Sequence, residues 1–233
     1  AVIDTGISPG QKILPLIRQY TQKPLILVLT HAHIDHWYHM DEFETVYMCH
    51  REFEVGADAL RDMMADKELH PERTLDIRTD TRIELGGTAL SVCEVPGHTP
   101  GSVVVLDERS NRLFTGDAIG SGYGVWMQTP TAVPLETYYE SLVHLLKWLV
   151  DRGGRMSFHG GHRYQMFQST HVPSFNPPSL GLLCDLIDLV DQIVHGKIVG
   201  RISNVDNIME LEPVLYAAYG RAEIQYKASN IKI

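Results

Sequence analysis

Cysteine is scarce in this chain: Cys49, Cys93 and Cys184 are three in 233 residues, widely spaced and without a Cys-x-x-Cys pair. An odd, sparse set excludes a disulfide framework and reads as buried thiols in a reducing compartment. Long apolar runs are also missing. No stretch approaches the length of a membrane span, and no charged-then-apolar signal segment opens the chain. Positive charge is in deficit, 20 Lys and Arg against 29 Asp and Glu, for a formal net charge of −9. That argues against a nucleic-acid partner, which needs a concentrated basic face, although aspartates neutralised by metal would make the count overstate the acidity. Internal repeats, low-complexity tracts and linkers are absent too. These absences predict a soluble, cytoplasmic protein acting on a small molecule, with neither membrane nor nucleic acid as partner. The oligomeric state stays open, a homodimer included.

With 44% hydrophobic and 21% charged side chains, the chain can bury a sizeable core as a single domain over residues 1–233. Ala1-Val-Ile3 running into Asp4-Thr5-Gly6 has the look of a strand end. The pattern predicts a helix over 11–21, a buried strand over 25–29, a helical turn over 40–44, a strand over 45–49 and a helix over 51–66. Strands follow at 82–85, 89–95, 102–106 and 112–115, with a turn at Asp107 to Asn111. Two amphipathic helices, 134–151 and 179–195, flank a short strand at 155–158 and a Pro-punctuated loop at 172–178. The tail from 210 reads as a short helix and then strands such as 222–226. Strands mixed with helices without strict alternation predict an α/β or α+β fold of sheets covered by helices.

The densest chemistry stands at Thr30-His31-Ala32-His33-Ile34-Asp35-His36, directly after the apolar run 24–29. Neutral imidazoles and a carboxylate projecting from a strand end suit zinc or a similar divalent ion. Three further candidates also follow predicted strands: His98 in Pro96-Gly-His-Thr-Pro-Gly101, Asp117 in Gly116-Asp117, and His162 in His159-Gly-Gly-His162. Glycine at each turn lets backbone approach closely and aims one side chain into a shared cleft. Any one of these signals is weak alone. Together they point to a metal site.

The order Asp4-Thr5-Gly6, His31/His33/Asp35/His36, Gly97-His98, Gly116-Asp117 and Gly161-His162 resembles the metallo-β-lactamase superfamily over essentially the whole chain. The resemblance implies a four-layer αβ/βα sandwich with metals at one edge of two packed sheets. It implies that His31, His33 and His98 hold a first divalent ion, that Asp35, His36 and His162 hold a second, and that Asp117 bridges both. Two zinc ions are the expectation, with iron or manganese as alternatives. Asp4 is expected to accept a hydrogen bond from a ligand and so fix it. Asp4 and Asp35 are the candidate catalytic carboxylates. The resemblance also implies one or two strands ahead of Asp4, and the expectation is that these are missing from the sequence as given.

Departures from the family pattern bear on the reaction. Trp37-Tyr38-His39 stands where the family often has Gly-Gly, and these residues are expected to pack beneath the following helix rather than narrow the cleft. Aspartate at 117 argues against the β-lactamase subclasses and fits thioester hydrolases of the glyoxalase II type, lactonases and phosphodiesterases. Segments 95–102 and 113–117 are especially similar to glyoxalase II-like proteins. Arg163, Lys197, Arg201 and Arg221, however, are scattered and form no basic glutathione-binding cluster. The implied reaction is hydrolysis of a small ester, thioester or lactone by a bridging hydroxide. The alternatives are a mononuclear iron dioxygenase using His31, His33 and His98, a phosphodiesterase- or β-lactamase-type hydrolase, and a metal-stabilised binding module without turnover; flavodiiron chemistry is disfavoured by histidine at 33. Residues 120–126 are Gly-rich but lack the ending of a phosphate loop, and Tyr123 and Trp126 within them are candidates to line a substrate pocket. His159 is a candidate oxyanion donor or a surface residue. His39, His50, His70, His144, His171 and His195 read as structural or solvent-facing.

Overall fold

The structure is a computed structural model that describes residues 1–54, 69–120, 124–162, 177–203 and 212–232. Among these the fold is mixed α/β and holds three sheets. The first is parallel throughout, in the order β1 (Val2–Ile3), β2 (Leu27–Val28), β3 (Val46–Met48) and β4 (Leu75–Asp76). The second runs β10 (Ser157–Gly160), β8 (Arg112–Gly116), β7 (Val103–Asp107), β6 (Ala89–Glu94) and β5 (Arg82–Glu84). The third runs β11 (Arg201–Ile202), β12 (Leu215–Tyr219), β13 (Ala222–Tyr226) and β9 (Val125–Met127).

Strand directions decide where the side chains of interest go. β6 and β8 each pair antiparallel with β7, so they run the same way, and β10 pairs parallel with β8. All three therefore end at one edge of their sheet. β1 and β2, parallel neighbours in the first sheet, end together as well. The Val103 N–H donates to the Thr30 carbonyl at 2.9 Å, stitching the end of β2 to the start of β7. Residues immediately beyond β1, β2, β6, β8 and β10 converge for this reason.

Helices α1 (Leu14–Ile17) and α2 (Ile34–Trp37) are single turns, whereas α3 (Leu135–Asp151) and α4 (Leu180–Val194) are long. On α3 the buried set is Leu135, Tyr138, Leu142, Leu145, Trp148 and Leu149, the spacing of one helical stripe. Pro134 stands at its N-cap, and Gly153 and Gly154 stop it with φ of 91° and 64°. Ser179 caps α4, its hydroxyl accepting from Leu182 N at 3.1 Å. The two helices pack on each other and on β12, β13 and β6, forming one core cluster with Val95, Leu113 and Ile224. No helix among the described residues is long and apolar enough to cross a membrane.

Several sequence expectations need correction. The helix expected over 11–21 shrinks to Leu14–Ile17, because Pro15 suits only a first turn and no buried residue anchors the rest. The strand at 25–29 is ladder-paired only at Leu27–Val28. The helix expected over 51–66 begins as a 3-10 turn, His50–Phe53, and its remainder from 55 lies outside the described residues. Where a short helix was expected after 210, residues 215–219 form β12. Cys184 is exposed, not buried, since it falls off the Leu182, Leu183, Leu186, Leu189 stripe of α4.

Candidate metal centre

His31 and His33 follow β2, Asp35 and His36 ride on α2, His98 follows β6, Asp117 follows β8 and His162 follows β10. Each of these seven expected ligands falls in at least one of three groups, His31 and His36 in two, whose candidate atoms lie within 4.8 Å of one another. The groups are His31, His33, His98; His31, His36, Asp117; and Asp35, His36, His162. Asp117 stands between the outer groups, its Oδ2 lying 3.1 Å from His162 Nε2, 3.7 Å from His98 Nε2 and 3.8 Å from His36 Nε2. His31, His36, His98 and Asp117 are buried, whereas Asp35 and His162 are about one-third exposed and form the rim.

The outward nitrogen of each buried ring is accounted for. Asp4 Oδ2 accepts from His36 Nδ1 at 2.8 Å and from the Thr30 hydroxyl at 2.7 Å, while Asp4 Oδ1 accepts from Thr30 N at 2.8 Å. With its proton committed to Asp4, the Thr30 hydroxyl can only accept from His31 Nδ1, 3.1 Å away. The Trp126 carbonyl accepts from His98 Nδ1 at 2.7 Å, and Thr131 Oγ1 lies 3.4 Å from His33 Nε2. Each bond orients its ring and turns the opposite nitrogen toward the centre, as a lone pair on the neutral rings of His31, His33 and His98. Asp4 itself adopts φ of 56°, a left-handed conformation uncommon for non-glycine residues. The Thr5 N–H and hydroxyl both donate to the His36 carbonyl, so β1 holds α2 through two adjacent residues.

Electrostatics divide the cluster. Burial, reinforced by neighbouring imidazoles, drives His31 and His33 well below the ordinary imidazole range, and burial lowers His98 as well. These rings are neutral and ready to donate lone pairs. Burial also opposes charge on His36, but the charge and hydrogen bond of Asp4, with Asp117 and Asp35, outweigh it and carry the ring up to about 9. The hydrogen bond to Asp117 raises His162. Burial works against ionised Asp117, yet the His162 bond and the surrounding imidazoles hold it below the usual carboxylate range.

Whether these residues fit a metal can be judged from unmet bonding capacity. His31 Nε2, His36 Nε2 and Asp117 Oδ1 are buried without hydrogen-bond partners, in the very group where the three side chains meet. Unsatisfied buried polar atoms are rare, and three in one cluster ask for a ligand. Gly161 shapes the cradle: a Cβ there would lie 2.8 Å from both Asp117 Oδ1 and His36 Cε1. The donor set, imidazole nitrogens with carboxylate oxygens, suits divalent transition ions.

Other expectations resolve here. Trp37 is buried and its indole N–H donates to the Ala32 carbonyl at 2.9 Å, so it packs under the ligand loop. His39 is buried between Ser8 and Glu42. His159 faces Ser157 and Phe114 and belongs to none of the three groups. Tyr123, Arg163 and His171 lie outside the described residues. Thr30 and Thr131 were not foreseen, whereas the close approach at Gly161 was expected from its turn. Thr30 had a signal, a hydroxyl residue between a strand and His31; Thr131 had none, being 98 residues from His33.

The sequence model of the metallo-β-lactamase superfamily matches residues 1–162, and the chain belongs to that superfamily. It is 28% identical over 186 residues to the acyl-coenzyme A thioesterase MBLAC2 of Bos taurus, covering 65% of this chain and 64% of that protein. It is 29% identical over 189 residues to the probable metallo-hydrolase YqgX of Bacillus subtilis, covering 77% and 88%. The chain thus spans just under two thirds of MBLAC2 and most of YqgX. Among solved structures, TTHA1623 in a di-iron-bound form superposes with a TM-score of 0.52 at 25% identity, covering 78% and 85%. A metallo-β-lactamase from Pontibacter korlensis gives 0.56 at 20% identity, covering 81% of each chain, a likeness of fold.

Proposed function

We propose that this chain is a metal-dependent hydrolase with a dinuclear centre that cleaves a small ester, thioester or lactone, thioesters foremost. The observation that carries the reading is Asp117, one buried carboxylate within 3.8 Å of nitrogens from His98, His36 and His162. That placement lets it serve both ligand groups. His31, His33 and His98 would hold one ion, Asp35, His36 and His162 the other, with zinc as the favoured metal. When bound, such a pair supplies a Lewis acid and an activated water near neutral pH. The protein's part is to present neutral imidazoles at His31, His33 and His98, orient the rings through Thr30, Asp4, Trp126 and Thr131, and leave the Asp35–His162 rim open to substrate. The name of MBLAC2 supports a thioester substrate, and the motif likeness supports a glyoxalase II-like site without its glutathione specificity. The charge of −9 favours a small substrate over RNA or DNA.

Elemental analysis of protein purified without added metal tests the centre. Near two zinc per chain supports the reading. Two iron, the state of the TTHA1623 structure, keeps the dinuclear centre and replaces the metal; a single iron favours the dioxygenase alternative. Asp117→Ala should lose or scramble both ions, and its retaining two tightly held ions would overturn the shared role. A panel of thioesters, lactones and phosphodiesters then tests the substrate class, which fails if only phosphodiesters react.

A further inference from the structure

Glu52 is a carboxyl with 1% exposure, in the 3-10 turn after β3, and it belongs to none of the candidate ligand groups. Burying a carboxyl is costly unless its oxygens are used. Its surroundings come from two segments. The Thr99 hydroxyl donates to Oε1 at 2.5 Å, while Oε2 is buried without a hydrogen-bond partner; the backbone N–H groups of Ala32 and Gly101 lie near enough to the carboxyl to favour its charge. Ala32 lies between His31 and His33; Thr99 follows His98. The contact is close: a Cβ on Gly101 would fall 2.6 Å from Glu52 Cγ and 2.8 Å from Glu52 N. Thr99 is tied further into its own turn, its Oγ1 2.7 Å from Ser102 Oγ, which accepts from Thr99 N at 3.2 Å. The two segments that Glu52 joins are the ones carrying His31, His33 and His98, with His98 Nε2 2.9 Å from His33 Nδ1.

We propose that Glu52 is a positioning residue that clamps the His31–His33 loop to the His98–Ser102 turn and so presets the three imidazoles of the first metal site. This rests on the reading that those imidazoles hold a metal. Glu52 touches none of Asp35, His36 or His162, so its influence falls on one site of the pair. Glu52→Gln can keep the clamp: its amide NH₂ donates to Thr99 Oγ1, which turns its own proton to Ser102, while its carbonyl still faces the Ala32 and Gly101 N–H groups without a formal charge. Glu52→Leu fills the space without bonding, and Thr99→Val removes the hydroxyl with its links to Glu52 and to Ser102.

The test is titration of metal-free protein with zinc against a chelator, and with cobalt(II) read by its visible absorption. Circular dichroism checks the fold of each variant. Glu52→Leu should weaken binding at the three-histidine site by about 10- to 100-fold, the usual reach of residues that hold ligands. Its cobalt band should broaden or shift, and the other site should stay within a few-fold. Glu52→Gln should stay close to wild type. If Glu52→Leu does not fold, Thr99→Val carries the test, with a smaller loss confined to the same site. Folded variants binding both ions as tightly as wild type, or losing both equally, would overturn the clamp while leaving the dinuclear reading intact. Wild-type protein that binds neither zinc nor cobalt would overturn that reading and the clamp with it.

Discussion

Asp4 shows how much one side chain can organise. Its two oxygens accept from His36, the Thr30 hydroxyl and the Thr30 amide, so a single carboxylate orients one candidate ligand directly and His31 through a hydroxyl. Asp4→Asn replaces one oxygen by an NH₂ that cannot accept from His36 or Thr30. Such outer partners typically contribute about 10- to 100-fold in metal affinity or activity. The variant should therefore fold, lose metal affinity or turnover by about that factor, and show it in metal titration and kinetics. A role confined to capping the turn would instead shift thermal stability and leave both measurements unchanged. At this scale the coming together of His31, His33, Asp35, His36, His98, Asp117 and His162 was legible in the sequence, because each follows closely on a strand end marked by glycine or by an abrupt polar switch. Thr131 and the Trp126 carbonyl were not, because contacts between residues 98 and 28 positions apart are set by chain path and leave no local pattern.

Helix α3 ties two ligand turns together. The Tyr138 hydroxyl donates to the Ala118 carbonyl at 2.6 Å, and its ring fills the space beside Gly97, where a Cβ would come within 2.2 Å of Tyr138 Cδ2. One aromatic residue thus backs the turn of His98 and the turn of Asp117 together. Tyr138→Phe keeps the ring and leaves a buried carbonyl unpaired, which costs about 1–3 kcal/mol. Denaturant unfolding should show that loss with an unchanged m-value; a stability equal to wild type would mean that the carbonyl finds another partner. The periodicity of α3 exposed this face in the sequence as core, but not its bracing of the ligand turns. Short elements fared worse. β9 lies beside a Gly-rich segment and is stabilised by parallel pairing with β13, a partner about 100 residues along the chain, and no alternation in three residues could announce it.

Across the whole molecule, buried titratable groups set a pH profile for the metal-free protein. His31, His33 and His98 are lowered, so the unfolded chain takes up protons that the folded one refuses, and stability falls as pH drops below the ordinary imidazole value of 6.5. Glu52, pushed up by burial to about 7 from 4.5, works the other way between those values, one carboxyl against three imidazoles. His36, raised to about 9, contributes fully below 6.5 and loses that contribution as pH rises through 9, and His162, also raised, adds to the same limb. Thermal stability of metal-free protein should therefore peak near neutrality, and Asp4→Asn should flatten the alkaline limb. A midpoint that climbs steadily from pH 7 to 9 would contradict this. Metal opposes the profile, since a bound ion replaces the proton on His36 and affinity must rise with pH over that range.

The parallel pairing of β10 with β8, which shifts register between His159 and Gly160 to set Gly160 beside Gly116, also governs timing. His162 and Asp117 are separated by 45 residues and meet only after α3 has crossed over. The hairpins β5–β6, β6–β7 and β7–β8 need far shorter closures and should form first. In refolding, the cleft is consequently finished from its floor outward. The three-histidine set needs a longer closure still, 65 residues between His33 and His98, and the docking of β10 is the step that brings His162 to Asp117.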